Sequence, residues 1–79
     1  MQIFARGIRT ITIDVEPTDT VMTLKEKISD REGVHPSHMI LTWGGRHLED
    51  DLTLGDYGIQ KEYTVHHRIR FGPGLKTVG

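Results

Sequence analysis

The segment TVMTLKEKISDREG, residues 20–33, carries the strongest periodic signal in the sequence. Val21, Leu24 and Ile28 recur at the i, i+3, i+7 spacing that places side chains along one stripe of a helix. Thr20 is a favourable N-cap, and Gly33, just past the last apolar residue, is typical of a left-handed C-terminal cap. The sequence therefore predicts one amphipathic helix. Four charged residues of this helix are expected to face solvent: Lys25, Lys27, Asp30 and Arg31.

Alternating apolar and polar residues predict two strands before this helix. Ile3 and Ala5 share one face of the first strand, over residues 2–6, and the same alternation continues from residue 10 to residue 16. A connector of residues 7–9 that contains glycine suits an antiparallel hairpin. Pro17 lacks the N–H that a strand needs, so it ends the second strand.

Further strands are predicted after the helix. Residues 40–43 and 46–48 flank Gly44 and Gly45, and two glycines can adopt the positive φ values of a tight hairpin turn. The loop of residues 49–61 follows, and the last strand is expected from about Tyr63 to Phe71. Leu54, Tyr57 and Ile59 are the expected anchors of the loop. This order of elements indicates an α+β fold in which one helix covers one face of a sheet.

The size and composition of the chain limit what it can be. Its 79 residues suffice for one hydrophobic core and one domain. It has no cysteine, which excludes disulfides and thiolate chemistry and fits a reducing compartment. We find no apolar run of about eighteen residues and no basic segment followed by an apolar one, so we expect neither a membrane span nor a signal peptide.

Charge is distributed unevenly along the chain. Residues 1–67 carry seven Lys or Arg against eleven Asp or Glu, a net charge of −4, whereas Arg68, Arg70 and Lys76 give residues 68–79 a net charge of +3. This basic end suits an acidic protein surface, but it is smaller than the basic stripe that nucleic-acid binding usually requires. We therefore expect protein partners, no nucleic acid and no membrane.

No set of side chains has the spacing of a catalytic or metal site. The acidic run of residues 49–51 fits a solvated loop, and Ser29 and Ser37 lack the context of a catalytic triad. Five histidines, of which His35 and His38 are three apart, do not supply the three or four converging ligands that zinc needs. We expect no enzymatic activity, no metal and no cofactor.

Three aromatic side chains have both a structural and a functional interpretation. Alternation places His67 on the core face of the last strand, which favours a partly buried, neutral histidine with a lowered pKa over a pH switch. Trp43 is expected to pack at the sheet edge rather than to serve as a binding anchor. Tyr57 is expected to anchor its loop through its hydroxyl group.

Several segments of the chain resemble the ubiquitin family: MQIF (1–4), VEP (15–17), LED (48–50), TL (53–54), DY (56–57) and IQKE (59–62). The resemblance covers residues 1 to about 71. It implies a ubiquitin-like β-grasp, a mixed sheet of four to five strands wrapped around one helix, with the first and last strands paired in parallel. Residues 1–71 would form this domain, and residues 72–79 a flexible tail or a junction with an adjoining precursor segment.

The resemblance also implies a binding surface on the exposed face of the sheet, from which this sequence departs. Ubiquitin presents aliphatic side chains at the positions of Ile8, Thr42 and Arg68, and only the first is aliphatic here. Each aliphatic side chain that is no longer buried against a receptor forfeits about 1.5–3 kcal/mol, so ordinary ubiquitin receptors should bind poorly. We expect the partner-binding surface to comprise these three residues, the adjacent Gly45 and His66, and a second apolar cluster of Val34, Ile69 and Phe71.

By the same resemblance, the expected function is that of a protein modifier, cut from a longer precursor or polyprotein and joined to targets by an isopeptide bond. Gly72, Gly74 and Gly79 are the candidate junction residues, although no diglycine ends the chain and Pro73 adds a ring where a slender tail is needed. The alternative is a non-covalent ubiquitin-like interaction domain of a larger protein. We expect a cytoplasmic or nuclear monomer that contacts processing or conjugating machinery and receptors of ubiquitin-like domains.

The lysines differ from those of ubiquitin as well. Arg46 occupies the position of ubiquitin's proteasome-directing chain, and its guanidinium cannot be acylated. Lys25, Lys27 and Lys61 match retained positions and are the candidate acceptors for chain extension.

Overall fold

The computed structural model describes residues 1–7 and 9–69, which form a five-stranded mixed sheet and one α-helix. The sheet order is β2-β1-β5-β3-β4; β1 pairs in parallel with β5, and the other neighbours are antiparallel. This arrangement confirms the predicted α+β class and the β-grasp. The elements are β1 (Gln2–Arg6), β2 (Thr10–Asp14), α1 (Val21–Glu32), β3 (Met39–Trp43), β4 (Arg46–His47) and β5 (Thr64–Ile69), with short 3-10 helices at Pro36–His38 and Gly55–Tyr57.

The helix α1 is capped as the sequence predicts. The hydroxyl oxygen of Thr20 accepts a hydrogen bond of 3.2 Å from the backbone N–H of Thr23. Gly33 has a φ of 73° and donates its N–H to the Ser29 carbonyl at 2.7 Å. The three residues of the predicted stripe are fully buried: Val21, Leu24 and Ile28. Burying a side chain of this size contributes about 1.5–3 kcal/mol, so the stripe is the main attachment of α1 to the sheet.

The inward face of the sheet completes a single core. Ile3 and Ala5 of β1 and Val65 of β5 are fully buried in the same cluster as the α1 stripe. Leu54 and Ile59 enter this cluster from the loop after β4, as predicted. The core therefore draws on both ends of the described chain and on the loop between them.

Hydrogen bonds hold the loop that follows β4. The backbone N–H of Glu49 donates to the Tyr57 hydroxyl at 2.8 Å, which confirms the predicted anchor. Thr53 donates its N–H to the Asp56 carboxylate at 2.9 Å, and Asp56 returns its own N–H to the Thr53 hydroxyl at 3.1 Å. This reciprocal pair fixes the turn that leads into the short helix of Gly55–Tyr57. The N–H and hydroxyl of Thr53 lower the pKa of Asp56.

The hairpin of β3 and β4 turns on two glycines. Gly44 and Gly45 have φ values of 61° and 80°, as the sequence predicts for a tight turn. Trp43, the last residue of β3, is half-buried against the core and stacks on Tyr63 with 5.8 Å between ring centroids. The expected packing of Trp43 is therefore confirmed, but the residue lies at the end of β3, paired with Arg46 of β4, rather than on an edge strand.

Two expectations about element boundaries and exposure need correction. The last strand begins at Thr64 rather than Tyr63, because the N–H of Tyr63 closes a turn to the Gln60 carbonyl at 3.1 Å. Its predicted continuation to Phe71 lies outside the described residues.

The prediction that Lys25 faces solvent is wrong: its side chain is 11% exposed, and its ammonium lies 2.7 Å from a carboxylate oxygen of Asp50. The loop after β4 lies against the start of α1 and covers this lysine.

His67 lies on the inward face of β5, opposite Leu41 of β3. Its ring packs on Gly7, where a Cβ would lie 2.5 Å from ring atom Cε1, so only glycine fits at residue 7 without a shift. Burial lowers the pKa of His67 below its ordinary value of 6.5, and the Glu32 carboxylate opposes this effect. Its atom Nε2 is buried without a hydrogen-bond partner among the described residues. The prediction of a partly buried histidine with a lowered pKa is confirmed.

No helix within residues 1–7 and 9–69 is both long and apolar enough to span a membrane.

Substitution of Tyr57 tests the anchor of the loop. Tyr57→Phe should lower the free energy of unfolding by about 0.5–1.5 kcal/mol, because the Glu49 N–H loses its acceptor. Tyr63→Phe is the matched control, since the Tyr63 hydroxyl makes no hydrogen bond to the described residues and its ring keeps its stacking on Trp43. Urea denaturation measures both variants. Equal stability of the two would contradict the anchoring role.

Acid should destabilise the fold through His67. Its pKa is lower in the folded chain than in the unfolded chain, so its contribution to stability is complete above about pH 6.5 and declines as the pH falls toward the folded-state pKa. His67→Leu should therefore show a smaller loss of unfolding free energy between about pH 7.5 and pH 5.5. Exposed His47 supplies the control: His47→Gln should keep the slope of the unmodified chain. Identical slopes for the chain and His67→Leu would refute this account.

Candidate functional site

Four strands contribute side chains to one row across the outward face of the sheet. In the strand registers, Arg6 of β1 lies opposite His66 of β5, His66 lies opposite Thr42 of β3, and Thr42 lies opposite His47 of β4. Neighbouring strands are about 4.8 Å apart, so the row is roughly 14 Å long. Thr42 is half-buried, and the other three side chains are exposed.

Arg68 extends this row along β5. It is the next outward residue after His66, it is exposed, and it lies opposite Ile40 of β3. The exposed groups at this end of the sheet are thus guanidinium and imidazole side chains around one hydroxyl. We name these five residues the basic face: Arg6, Thr42, His47, His66 and Arg68.

No carboxylate neutralises the basic face within the part of the chain that the structure describes. Neither Arg6 nor Arg68 takes part in an ion pair there. The outward positions of β1, β3, β4 and β5 carry no Asp or Glu. The outward carboxylate of β2, Asp14, lies opposite Gln2 at the other end of β1. The electrostatic character of this end of the sheet is therefore positive.

The structure brings together most of the predicted partner-binding surface. Thr42, Gly45, His66, Arg68 and Val34 line one open cavity of about 920 Å³. Ile69 is described only in its backbone, which pairs with Met39 in the sheet. Ile8 and Phe71 lie outside the described residues. The binding role of this surface stays a prediction.

Two members of the basic face, Arg6 and His47, were missed by the sequence prediction. Neither occupies a position of the aliphatic patch that the resemblance implies. Arg6 enters the row only through the parallel pairing of β1 with β5, and His47 only through the exact register of the second hairpin. The parallel pairing of the first and last strands was itself predicted. A register assumed for that pairing would have placed Arg6 beside His66.

The three candidate acceptor lysines differ in accessibility. Lys61 is exposed in the turn before β5. Lys25 is largely enclosed beside Asp50. The ammonium of Lys27 donates to the Asp14 carbonyl at 2.7 Å and to the Asp19 carboxylate at 3.3 Å. The N–H of Glu16 lowers the pKa of Asp19; burial opposes this effect, and the Lys27 ammonium adds to it. The candidate junction residues Gly72, Gly74 and Gly79 lie outside the described residues.

The polar clusters of the described residues have structural partners. In the acidic run of residues 49–51, Asp50 pairs with Lys25. The Ser37 N–H donates to ring atom Nδ1 of His35 at 3.1 Å, which closes the turn that starts a 3-10 helix. Within residues 1–7 and 9–69 no three His, Asp or Glu side chains converge as metal ligands would.

Comparison with known proteins identifies the lineage of this fold. A sequence model of the ubiquitin family matches residues 6–72. The chain is 34% identical over 65 residues to the "Ubiquitin-like protein NEDD8" of Dictyostelium discoideum; the alignment covers 82% of this chain and 84% of that protein. It is 38% identical over 56 residues to the "NEDD8-like protein RUB3" of Arabidopsis thaliana; that alignment covers 71% of this chain and 72% of that protein. The chain is therefore a ubiquitin-like protein, not an enzyme, and it belongs to the ubiquitin family.

Proposed function

We propose that the chain is a ubiquitin-like protein modifier, released from a longer precursor and joined to target lysines through a C-terminal glycine. The observation that carries this proposal is the similarity to two proteins named as NEDD8 or NEDD8-like, each matched over more than two thirds of its length. A modifier of this kind needs a stable fold and a reactive terminus, and it needs no catalytic pocket of its own.

The position of the tail supports the same proposal. The central strand β5 leads directly into residues 70–79, which contain all three candidate junction residues. Glycine suits a junction because it places no side chain next to the carbonyl that a lysine attacks. Cleavage of the precursor after Gly72 would also remove Pro73, whose ring is the main obstacle to a slender tail. Gly74 and Gly79 leave that ring in place, so Gly72 is the junction we favour.

The proposed partners follow from this role. They are the enzymes that process and conjugate the modifier, the target proteins, and receptors that bind the outward face of the sheet. We propose that it acts as a monomer in the cytoplasm or nucleus. The absence of cysteine is consistent with those reducing compartments.

A non-covalent interaction domain is the second candidate function. Two observations favour it: Pro73 interrupts the tail, and the basic face replaces the aliphatic surface through which receptors bind ubiquitin. Such a domain would stay within a longer polypeptide and would act only by docking.

Truncation at each candidate glycine tests the proposed modifier. Chains that end at Gly72, Gly74 or Gly79 should be expressed in cells with an N-terminal tag, captured under denaturing conditions and examined by mass spectrometry for isopeptide-linked target peptides. The peptide N–H that replaces the Met1 ammonium can still donate to the Val15 carbonyl, so the tag preserves that contact. We expect adducts for the chain that ends at Gly72.

The matched control changes only the terminal residue. Gly72→Val in the same truncated chain should abolish the adducts, since a branched side chain then flanks the reacting carbonyl. If none of the three chains forms adducts while native capture retains specific proteins, the modifier is excluded and the interaction domain is supported.

Chain extension, if the modifier is conjugated, should use Lys61. Lys61→Arg should reduce oligomeric adducts by about tenfold, because the ε-amine of Lys61 is exposed and can attack once it has lost its proton, whereas the ammonium of Lys25 is held beside a carboxylate. Lys25→Arg is the matched control and should leave the adduct ladder unchanged. Quantitative immunoblotting of the two variants measures the effect. A ladder that depends on Lys25 and not on Lys61 would contradict this assignment.

A further inference from the structure

We propose that the basic face is a docking site for an acidic protein segment, one that presents several Asp or Glu side chains. This deepens the proposed function by naming a class of partner, and it rests on that function only in that the chain acts by being bound. Conjugation through the tail is not required for the docking.

Two cations without an ion pair, Arg6 and Arg68, lie on the basic face; the described residues hold three more, Arg31, Arg46 and Lys61, at other places on the surface. Elsewhere, Arg9, Lys25 and Lys27 each lie within 3.3 Å of a carboxylate of the same chain. Arg6 and Arg68 are exposed and have no such partner among the described residues. Cations without an internal partner attract carboxylates from outside, and they meet them with little structural rearrangement.

Residues outside the described ranges cannot supply the missing side-chain carboxylates. Residue 8 is isoleucine, and residues 70–79 contain Arg70 and Lys76 but no Asp or Glu. No side-chain carboxylate of residue 8 or of residues 70–79 can therefore neutralise the face. An acidic partner supplies carboxylates that complement it.

The spacing of the basic face matches carboxylates on regular secondary structure. Its members lie one strand apart, about 4.8 Å, or two residues apart along β5, about 6.6 Å. The Cβ atoms of residues at positions i and i+4 of a helix are about 5–6 Å apart, which falls between these two spacings. The guanidinium groups can each hold a carboxylate by two parallel hydrogen bonds, and the Thr42 hydroxyl offers a further donor near the middle of the row.

A protein segment fits this face better than a nucleic acid does. Binding of single strands relies on aromatic side chains on which bases stack. On the outward positions of the described strands the aromatic rings are that of Phe4, which is half-buried, and the imidazoles of His47 and His66; none of those positions carries Tyr or Trp. Residues 1–69, which include Arg68, carry eight Lys or Arg against eleven Asp or Glu; their net charge of −3 also repels a continuous phosphate backbone, whereas a short acidic segment contacts the basic face alone.

Titration with a defined pair of peptides tests the docking site. One probe is a helical peptide with Glu side chains four residues apart, and its counterpart has Gln at the same positions. We expect the Glu peptide to shift the backbone amide NMR signals of Arg6, Thr42, His66 and Arg68 and to bind about tenfold more tightly than the Gln peptide. Raising the salt concentration from about 0.05 M to about 0.3 M should weaken this binding severalfold, because the Debye length becomes shorter.

Charge reversal identifies the residues responsible. Arg6→Glu and Arg68→Glu should each weaken binding of the Glu peptide by about tenfold. Arg31→Glu makes the same change in net charge on the exposed side of α1, on the opposite side of the sheet, and should change the affinity by less than about twofold at 0.15 M salt. The amide spectrum of each variant shows whether it is folded, and the salt dependence of the unmodified chain tests the proposal without any variant.

Three results would overturn the proposal. The first is equal binding of the Glu and Gln peptides. The second is a single-stranded oligonucleotide that binds the basic face more tightly than the Glu peptide. The third is self-association that occupies the face, seen as concentration-dependent shifts of the same amides without peptide. Because the purified chain is titrated without conjugating enzymes, none of these results bears on whether the tail is conjugated.

Discussion

The strands β1 and β5 pair in parallel at the centre of the sheet, with Ala5 opposite Val65 and both side chains fully buried. The first and last strands of the described chain thereby become neighbours, and each depends on the other for hydrogen bonds on one edge. On the inward face, the pair supplies part of the surface on which the α1 stripe packs. On the outward face, the same register places Arg6 beside His66, so one pairing positions both the core and the candidate binding surface.

Close packing at the end of this pair determines the residue at position 7. The ring of His67 occupies the space that a Cβ would take, so glycine is required by contact rather than by an unusual backbone angle. The histidine in turn is partly buried beside Glu32, whose carboxylate is already held by Arg9 at 2.9 Å. Burial lowers the pKa of His67 by more than the Glu32 carboxylate raises it. The neutral ring is the form that suits this packing.

Local elements could be predicted from the sequence because their determinants lie within a few residues of each other. The caps of α1 at Thr20 and Gly33, the turn at Gly44 and Gly45 and the anchor at Tyr57 follow from such short-range chemistry. Lys25 could not be placed correctly, since helical periodicity ignores a distant loop that covers the start of α1. The membership of Arg6 and His47 in the basic face depends on strand registers, which are set by packing across the whole sheet.

The basic face also changes how the chain can be distinguished from other ubiquitin-like proteins. An aliphatic surface binds through buried area, so a receptor built for it would have to desolvate Arg68 without offering that cation a partner, which is costly. Thr42 adds a hydroxyl group to the same surface, and it too requires a hydrogen bond once it is buried. A receptor that bears carboxylates meets both needs. On a ubiquitin-like protein with an aliphatic surface, the same receptor would have no cations with which to pair. For the proposed acidic partner, discrimination would therefore operate in both directions, through unpaired polar groups in the wrong complex and ion pairs in the right one. The fold that presents the two kinds of surface remains the same.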